Sequence, residues 1–446
     1  MTKKFKDDFI FGVSTSSYQV EGAVDEDGRG PSIWDKFCMV PDKIYKGHTG
    51  DVACDHYHRY KEDIELMSEI GLDAYKFSIS WSRIFPEKGK YNPAGMRFYK
   101  NLIAELGKKN IKPAVVLYHW DLPVWAYKMG GWLNRDSIKW FEEYAAKVFE
   151  ELNDSVKFWV TNNEPFFSSI LGYYEGILAP GHKDLKEALT VAHHILYSHG
   201  IVVENFRKYG FKNSKIGISL SLVPSYPASN SKEDAEAAFK SDGLFNRWFL
   251  DPIFKASYPE DMKKVFGKFV DDFDFIKDGD FEKTSTRIDF LGVDYFTHQL
   301  IKFSKDTKFN FKQASSDFEK TDMGCDIVPE ALSDIIIRLR EDYTQVPIYI
   351  AGNGAAFDDK ISKDGKVHDF KRIDFIKRHL LEIAKLNEKG ADIRGYFIWS
   401  LMDNFEWQYG YSERFGIVFI DYKTQERVLK DSAIWYKNLV DDRILE

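Results

Sequence analysis

Several polar and aromatic side chains stand directly after short apolar runs of the sequence, where they could contact one ligand. They are Gln19, His119, Asn163, Glu164, Asp294, Tyr295, Asn353, Trp399, Glu406 and Trp407. Amides and carboxylates can pair with neighbouring hydroxyl groups, and aromatic faces stack on flat apolar surfaces such as sugar rings. If the preceding runs end on one side of the fold, this set predicts a site for a polyhydroxylated ligand.

The apolar runs themselves are typical of buried parallel strands, and segments with apolar residues at i, i+3 and i+4 separate them and predict helices. Eight strands that alternate with helices favour a closed α/β barrel, the (β/α)₈ or TIM barrel, over a doubly wound sheet. The predicted strands span residues 9–17, 74–80, 113–120, 158–164, 215–222, 289–297, 347–353 and 395–402, and the predicted helices span 56–70, 93–109, 135–152, 185–209, 329–342 and 371–388. Barrel enzymes place their chemistry at the C-terminal ends of the strands, where the polar set also lies.

Composition limits the number of domains and the kinds of partner. The chain has 446 residues, of which 44% are hydrophobic, and shows no low-complexity linker, so we expect one catalytic barrel domain over residues 1–446. A net charge of −8 makes nucleic acid and anionic membranes poor partners. The N-terminus lacks the apolar run of a signal peptide and no segment is long enough to span a bilayer, so we expect a cytoplasmic protein.

The cysteines and histidines give no indication of a metal or another cofactor. Cys38, Cys54 and Cys325 show no CxxC spacing. Four histidines occur in close pairs, but no glutamate lies suitably between them, so we expect all four to be packing or helix-surface residues: His56, His58, His193 and His194. We predict no cofactor and no metal.

Six motifs, in order, cover nearly the whole chain and together resemble glycoside hydrolase family 1, the β-glucosidases and their relatives. They are Phe9-Ile-Phe-Gly-Val-Ser-Thr-Ser-Ser-Tyr-Gln-Val-Glu-Gly22, Phe77-Ser-Ile-Ser-Trp-Ser-Arg83, Tyr118-His-Trp-Asp-Leu-Pro123, Thr161-Asn-Asn-Glu-Pro165, Trp399-Ser-Leu-Met-Asp-Asn-Phe-Glu-Trp407 and Arg414-Phe-Gly416. The resemblance implies a (β/α)₈ barrel that acts on β-glycosides.

The resemblance also implies a role for each residue of the polar set that matches a motif. Glu164 would be the general acid and later the general base, and Asn163 would contact the sugar 2-hydroxyl. Trp399 would be the stacking floor, and further sugar contacts would come from Gln19, His119, Asp294, Tyr295, Glu406 and Trp407. Glu406 would accept from the 4- and 6-hydroxyls, and because its charge repels a 6-phosphate, the implied ligand is a non-phosphorylated β-glycoside or oligosaccharide.

The end of the seventh predicted strand departs from the family motif. The family reads Ile-Thr-Glu-Asn-Gly, but this chain reads Ile350-Ala-Gly-Asn-Gly354, so Gly352 stands at the position of the catalytic nucleophile. A retaining glycosidase needs a carboxylate there, about 5–5.5 Å from the acid, to form a covalent glycosyl-enzyme. Because loss of a nucleophile can slow an enzyme by about 10⁴–10⁶-fold, we predict very weak hydrolysis.

Four further departures cluster near the same spot. Lys76 stands where the family usually has arginine, Asp294 replaces an asparagine, Cys325 a tryptophan and Ala351 a threonine. The changes to lysine, cysteine, alanine and glycine all reduce side-chain volume, whereas the distal motifs are intact. This concentration on one pocket wall indicates an engineered pocket or one that has diverged toward another ligand.

Three interpretations of this altered pocket stay open. A nucleophile-deficient variant could act as a glycosynthase or substrate trap: α-glycosyl fluoride would fill the vacated space, and Glu164 would activate an acceptor hydroxyl. The pocket could instead support new chemistry, with Lys76 as an amine nucleophile or Asp294 as a general base, although an ion pair between the two is the simpler expectation. A non-catalytic, lectin-like sugar-binding protein would use the same residues without turnover.

Overall fold

Eight short and almost fully buried strands form the centre of the protein. In the computed structural model, which describes residues 2–152 and 155–446, these strands are parallel and close into one barrel. In chain order they are β1 (Ile10–Ser14), β2 (Ala74–Ser78), β3 (Lys112–Tyr118), β4 (Phe158–Asn163), β5 (Lys215–Ser221), β6 (Phe290–Asp294), β7 (Ile348–Asn353) and β8 (Ile393–Trp399). The predicted (β/α)₈ barrel is confirmed, and each predicted strand matches an observed one.

Amphipathic helices pack around the barrel because one face of each carries the apolar residues that cover the outer side of the strands. The six predicted helices are all present: His56–Ile70, Pro93–Lys108, Ser137–Leu152, Leu185–Tyr209, Pro329–Asp342 and Phe370–Glu388. Their observed ends lie within two residues of the predicted ones. The sequence analysis missed the helix Asp431–Asp442, which follows β8 and contacts the helices His56–Ile70 and Phe370–Glu388.

The connection between β5 and β6 is the most elaborate part of the chain. It contains the helices Lys232–Asp242, Trp248–Phe254, Glu260–Phe266 and Asp280–Thr284 and the π-helix Gly243–Arg247. A small sheet of Ser225–Pro227, Gln299–Phe303 and Phe311–Gln313 joins this connection to the one after β6. These elements were not predicted because they are short and carry little apolar periodicity.

Short helices and turns fill the other connections at the strand ends. They include Ser17–Val20, Ile33–Phe37, Trp81–Ile84, Val124–Lys128, the π-helix Phe167–Glu175 and the short strand pair Val418–Ile420 and Arg427–Leu429. The strands Lys3–Lys4 and Ile444–Leu445 pair near the chain ends. Among the described residues, no helix is both long and apolar enough to cross a bilayer.

The register between β6 and β7 determines which residues of the two strands lie side by side. Ile350 pairs with Val293, and after a register shift Gly352 pairs with Asp294. Because both residues end parallel strands of a closed barrel, they lie level with each other at its C-terminal end. The two departures from the family motifs at residues 294 and 352 are therefore neighbours across strands.

Candidate active site

A cavity of about 330 Å³ lies at the C-terminal end of the barrel. Polar groups from the strand ends line it, and aromatic and aliphatic side chains of the loops complete the wall. Ten of the residues singled out in the sequence belong to its lining: Lys76, His119, Asn163, Glu164, Asp294, Cys325, Gly352, Trp399, Glu406 and Trp407. The ring of strand-end residues thus converges on one concave site, as the barrel architecture requires.

Glu164 ends β4 and is held in a left-handed backbone conformation, with φ of 46°. Its backbone N–H donates to the Ser219 carbonyl of β5 at 2.9 Å, and its Oε2 accepts from Asn163 Nδ2 at 2.8 Å. Oε1 is buried and has no partner among the described residues. Burial raises the pKa of Glu164 well above its usual value, and the nearby Asp294 carboxylate raises it further, while Lys76 opposes the shift. A protonated carboxyl with one free oxygen suits a general acid.

Lys76, on β2, contacts both Asn163, which holds Glu164, and the C-terminal ends of β6 and β7. Its ammonium group donates to Asn163 Oδ1 at 2.8 Å and to the Ala351 carbonyl at 3.1 Å, and it lies 3.5 Å from Asp294 Oδ1. The expected ion pair between Lys76 and Asp294 is confirmed. Because three acceptors surround the three N–H donors, the geometry fixes Lys76 as a charged positioning group.

Asp294 is buried at the end of β6 and is held on both of its oxygens. Ser219 of β5 donates its hydroxyl to Oδ2 at 2.5 Å, while Oδ1 faces Lys76. Burial raises the pKa of Asp294 above its ordinary value, and Lys76 and the Ser219 hydroxyl act in the opposite direction. The carboxylate is therefore oriented by contacts from two other strands.

The space beside Gly352 is partly filled by this carboxylate. A Cβ atom built on Gly352 would lie 2.5 Å from Asp294 Oδ1 and 3.3 Å from its Cγ. Contacts below 3.0 Å do not occur at real Cβ atoms, so a larger residue at 352 requires Asp294 to move. The expectation of an empty space at this position is thus corrected: the Asp294 carboxylate of the neighbouring strand occupies part of the volume that a side chain at 352 would take.

Other residues around the cavity carry groups suited to recognise a sugar. Gln19 accepts from Ser16 through Oε1 at 2.6 Å and donates to the Phe405 carbonyl at 2.8 Å, which orients its amide toward Glu406 Oε2 at 3.4 Å. Burial raises the pKa of Glu406 to about 8, although hydrogen bonds from the Trp399 indole and the Gln19 amide lower it. A half-buried carboxyl beside an indole can bind hydroxyls and stack against a pyranose face.

The aromatic members of the site hold one another in place. The His119 ring lies nearly parallel to Trp399 and Trp407, at centroid distances of 5.9 and 6.1 Å. Burial and the charge of Lys76 lower the pKa of His119 well below its usual value, so the imidazole is neutral. Trp120 donates its indole N–H to the Asn163 carbonyl at 2.9 Å and stacks on Phe167 at 4.8 Å.

Four of the residues singled out in the sequence do not line the cavity, and one of them, Asn353, is buried with its amide N–H bonded to the Tyr295 carbonyl and its oxygen to the Tyr396 hydroxyl. Tyr295 is fully buried and donates its hydroxyl to the Val328 carbonyl at 2.6 Å, so it faces away from the cavity; its predicted sugar contact is corrected. Gln19 lies behind Glu406 and supports it. Ala351 contributes its carbonyl to Lys76 through the barrel wall, so the missing threonine side chain does not enlarge the cavity.

The sequence analysis missed Ser219 and Ser221 on β5. Ser219 fixes Asp294, and the Ser221 hydroxyl lowers the pKa of Glu164 against the larger effect of burial. The signal was present, since residues two apart in a strand share a face and these serines interrupt an apolar run. No sequence motif marked them.

Much of the remaining cavity lining is apolar. Cys325 belongs to it, and Thr297, Gln299 and Thr321 add a few polar groups. The apolar lining consists of Phe166, Phe167, Leu171, Leu178, Val223, Phe245, Phe296, Met323, Ala355 and Phe415.

The four paired histidines lie outside the cavity, as predicted. His56 contacts Asp63 at 2.7 Å and His193 contacts Asp280 at 2.8 Å, both in buried surroundings. His194 bonds the Trp132 carbonyl, and His58 lies at the surface near Asp55. Within residues 2–152 and 155–446, no cluster of three or more potential metal ligands is present.

Comparison with known proteins gives consistent matches over nearly the whole chain. Residues 1–444 match the model of glycosyl hydrolase family 1. The chain is 48% identical over 440 residues to beta-glucosidase A of Acetivibrio thermocellus, with 98% of each chain covered, and 44% identical over 447 residues to beta-glucosidase A of Thermotoga maritima, with 100% and 99% covered. A solved GH1 beta-glucosidase from Exiguobacterium antarcticum B7 superposes with a TM-score of 0.97 at 52% identity over 99% of both chains.

Proposed function

Since this chain belongs to glycosyl hydrolase family 1, we propose that it binds non-phosphorylated β-glucosides and lacks the carboxylate that forms the covalent intermediate of retaining hydrolysis. The relatives described above are named beta-glucosidases, which supports a glucoside ligand. The observation that carries the second part is Gly352, which offers no side chain at the end of β7. The protein is then a family scaffold with very weak hydrolysis.

Glu164 keeps the features of an acid and base in this proposal. Its raised pKa leaves the free carboxyl protonated, and Oε1 has no partner among the described residues that would compete with a glycosidic oxygen. Asn163 holds Oε2 and is itself oriented by Lys76. A carboxyl fixed in this way can protonate a leaving oxygen or, once ionised, take a proton from an incoming hydroxyl.

The preference for unphosphorylated sugars rests on Glu406. Gln19 and Trp399 bond its carboxyl, which lines the same cavity as Lys76 and Asp294. Above its pKa of about 8, the ionised Glu406 carboxyl accepts hydrogen bonds from sugar hydroxyls and repels a phosphate at close range. We therefore expect glucose to bind more tightly than glucose 6-phosphate.

Without a nucleophile, the favoured reaction is coupling of an activated donor to an acceptor sugar. An acceptor oxygen would attack C1 of α-glucosyl fluoride, the C–F bond would break with loss of fluoride, and Glu164 would take the acceptor's proton. The product is a β-linked disaccharide that the protein cleaves very slowly. Asp294 occupies part of the space beneath the sugar, so the donor must fit beside its carboxylate.

The contacts of Lys76 speak against an amine nucleophile. An ammonium group with three acceptors, one of them a carboxylate, has no lone pair to attack a carbonyl or acetal carbon. The second candidate function is sugar binding without turnover, which the intact set of Gln19, Trp399 and Glu406 supports.

Incubation with α-glucosyl fluoride and a 4-nitrophenyl β-glucoside acceptor tests the proposal. Disaccharide formation, followed by chromatography and fluoride release, is expected for the wild-type chain, and E164Q should lose it. If glucose binds in calorimetry but no coupling product forms over hours, the binding-only function is correct. If glucose does not bind either, the proposed ligand class is wrong.

A further inference from the structure

The cavity wall at Gly352 does not simply lack a carboxylate. One is present on the adjacent strand, because Asp294 of β6 pairs with Gly352 of β7 and places Oδ1 2.5 Å from the point where a Cβ of residue 352 would be. We propose that Asp294 acts as a general base that directs a water molecule onto C1, so that the residual hydrolysis of β-glucosides proceeds with inversion. This inference rests on the proposed function, because it requires a glucoside bound in the same cavity.

The position of the carboxylate favours a base over a displaced nucleophile. An oxygen 2.5 Å from the Cβ position of residue 352 lies no farther out than the carboxyl carbon of a glutamate there. A glutamate at 352 could place its carboxyl oxygens farther from that position, by about one C–O bond, roughly 1.2 Å. Retaining enzymes hold their two carboxyl groups about 5–5.5 Å apart, whereas inverting enzymes separate them by about 6.5–9.5 Å to accommodate a water molecule, so a carboxylate set back from the nucleophile position suits a base that directs water.

The contacts of Asp294 leave the appropriate oxygen available. Oδ2 is occupied by the Ser219 hydroxyl at 2.5 Å, whereas Oδ1 has only the longer contact with Lys76 at 3.5 Å. Oδ1 is also the atom nearest the Gly352 position, so it faces the side of the cavity from which the nucleophile would attack. Ser219 and Lys76 hold the carboxylate as a second oriented acidic group of the cavity that Glu164 also lines.

The charged groups around the site favour Glu164 as the general acid and Asp294 as the general base. Burial and the Asp294 charge raise the pKa of Glu164, which favours its protonated form. Burial also raises the pKa of Asp294, but Lys76 and Ser219 oppose that shift. Glu406 adds a smaller effect on Glu164. The pair therefore provides one acid and one base, which is the requirement for inversion.

The step balances with water as the only co-reactant. The water oxygen attacks C1 from the Gly352 side while Asp294 Oδ1 takes one of its protons. The bond between C1 and the aglycone oxygen breaks, and Glu164 transfers its proton to that oxygen. The products are α-glucose and the free alcohol, and proton exchange with solvent restores both carboxyl groups.

Proton NMR of the first product tests the inference directly. The purified wild-type chain is mixed with 2,4-dinitrophenyl β-glucoside, and the anomeric signals are followed before mutarotation. We expect α-glucose to appear first. Early β-glucose, or no release above the spontaneous rate, would overturn the proposal.

Variants then assign the base. D294N should lower the enzymatic rate by about 10²–10⁴-fold, the usual contribution of a general base. The matched control is D289N, which makes the same change just before β6, where Asp289 pairs with Arg207 far from the cavity. An equal rate in D294N and the wild type would overturn the proposal. Thermal unfolding and glucose binding show whether D294N keeps its fold.

The variant S219A provides a second measurement that does not depend on the folding of D294N. Removing the Ser219 hydroxyl takes away a hydrogen bond that lowers the pKa of Asp294, so the acidic limb of the pH–rate profile should move to higher pH. A merely structural serine would lower the rate without moving the limb, which would contradict the inference. Coupling from α-glucosyl fluoride does not need Asp294 as base, so its outcome reports on the proposed function separately.

Discussion

Restoring the missing nucleophile tests the assignment of Gly352 and the effect of Asp294 together. In G352E, the new side chain meets Asp294 Oδ1, which lies 2.5 Å from the Cβ position, so residue 294 must rotate. G352E/D294N meets the same steric conflict, because asparagine and aspartate have the same shape. The two variants therefore differ in charge alone. Ala351 can stay unchanged, since it contributes a carbonyl and not its side chain.

The magnitude follows from two carboxylates in one buried space. At about 4 Å and an effective dielectric constant of about 20, two like charges repel by about 4 kcal/mol, which corresponds to about three pKa units. The new glutamate in G352E would then titrate near about 7.3 instead of about 4.3. At pH 5.5 its ionised fraction is roughly 60-fold lower than in G352E/D294N, and at pH 8 the two fractions agree within about twofold.

Rotation of Asp294 also affects stability. It breaks the contacts with Ser219 and Lys76, and each hydrogen bond to a charged group contributes about 1.5–3 kcal/mol. We expect both glutamate variants to be less stable than the wild type, and G352E to be the less stable of the two. An asparagine amide can donate to the new carboxylate, whereas an aspartate repels it.

The assay is the hydrolysis of 4-nitrophenyl β-glucoside between pH 5 and 8.5, with product anomers determined by NMR. G352E/D294N should release β-glucose with a gain of about 10⁴–10⁶-fold over the wild type, or roughly 5–8 kcal/mol of barrier. The hydrolysis rate of G352E should be much lower than that of G352E/D294N at pH 5.5 and should approach it at pH 8. Equal rates at pH 5.5 would refute the charge argument, and retaining activity in neither folded variant would refute the assignment of residue 352.

Three further predictions concern single groups. E164Q should reduce coupling from α-glucosyl fluoride by about 10²–10⁴-fold, because no base then takes the acceptor's proton; an unchanged rate of fluoride release into disaccharide would contradict this role. Glucose binding to the wild type, measured by calorimetry, should become tighter between pH 6 and 9. The reason is that the pKa of Glu406 lies at about 8 and its ionised form accepts hydrogen bonds from sugar hydroxyls. E406Q should bind glucose more weakly and without this pH dependence. Burial raises the pKa of Asp121 to about 8. The native state therefore holds a proton that the unfolded chain releases at about pH 3.9. The contribution of this group to the free energy of unfolding falls as the pH rises from about 4 to 8. The melting temperature of D121N relative to the wild type should therefore be higher at pH 8 than at pH 5, and an equal difference at both values would be inconsistent with a buried neutral carboxyl.

The barrel could be predicted from sequence because each strand is short, apolar and followed by an amphipathic helix. Hydrophobic periodicity reports burial directly, so the strands and six of the helices were located closely. The helices between β5 and β6 escaped because their burial depends on neighbouring loops instead of a continuous apolar face. The polar ring was also predictable, since the ends of parallel strands in a closed barrel meet at one rim.

Side-chain direction limited the prediction of the site. Asp294 and Tyr295 are adjacent in sequence, but successive residues of a strand point to opposite faces, and Tyr295 accordingly bonds Val328 outside the cavity. Gln19 was placed beside the sugar, yet its amide is occupied by Ser16 and Phe405 and supports Glu406 from behind. Motif matching identifies positions, whereas contact with a ligand depends on where each side chain finds its partners.

Only the strand register shows that residues 294 and 352 are neighbours across β6 and β7. This changes how the departures from the family motifs at these two positions are interpreted. Relative to the family pattern that this chain resembles, the wall loses a glutamate at 352 and gains an aspartate at 294, while the cation at 76 remains a cation. A buried ammonium left with a single carboxylate nearby would be poorly compensated, and uncompensated buried charge is costly. Asp294 lies close enough to Lys76 to form an ion pair with it. It also lies close enough to Gly352 to occupy part of the space that a side chain at residue 352 would take. Lys76 therefore keeps two carboxyl groups acting on it, those of Glu164 and Asp294, and relative to the family pattern the second of them is carried by β6 instead of β7.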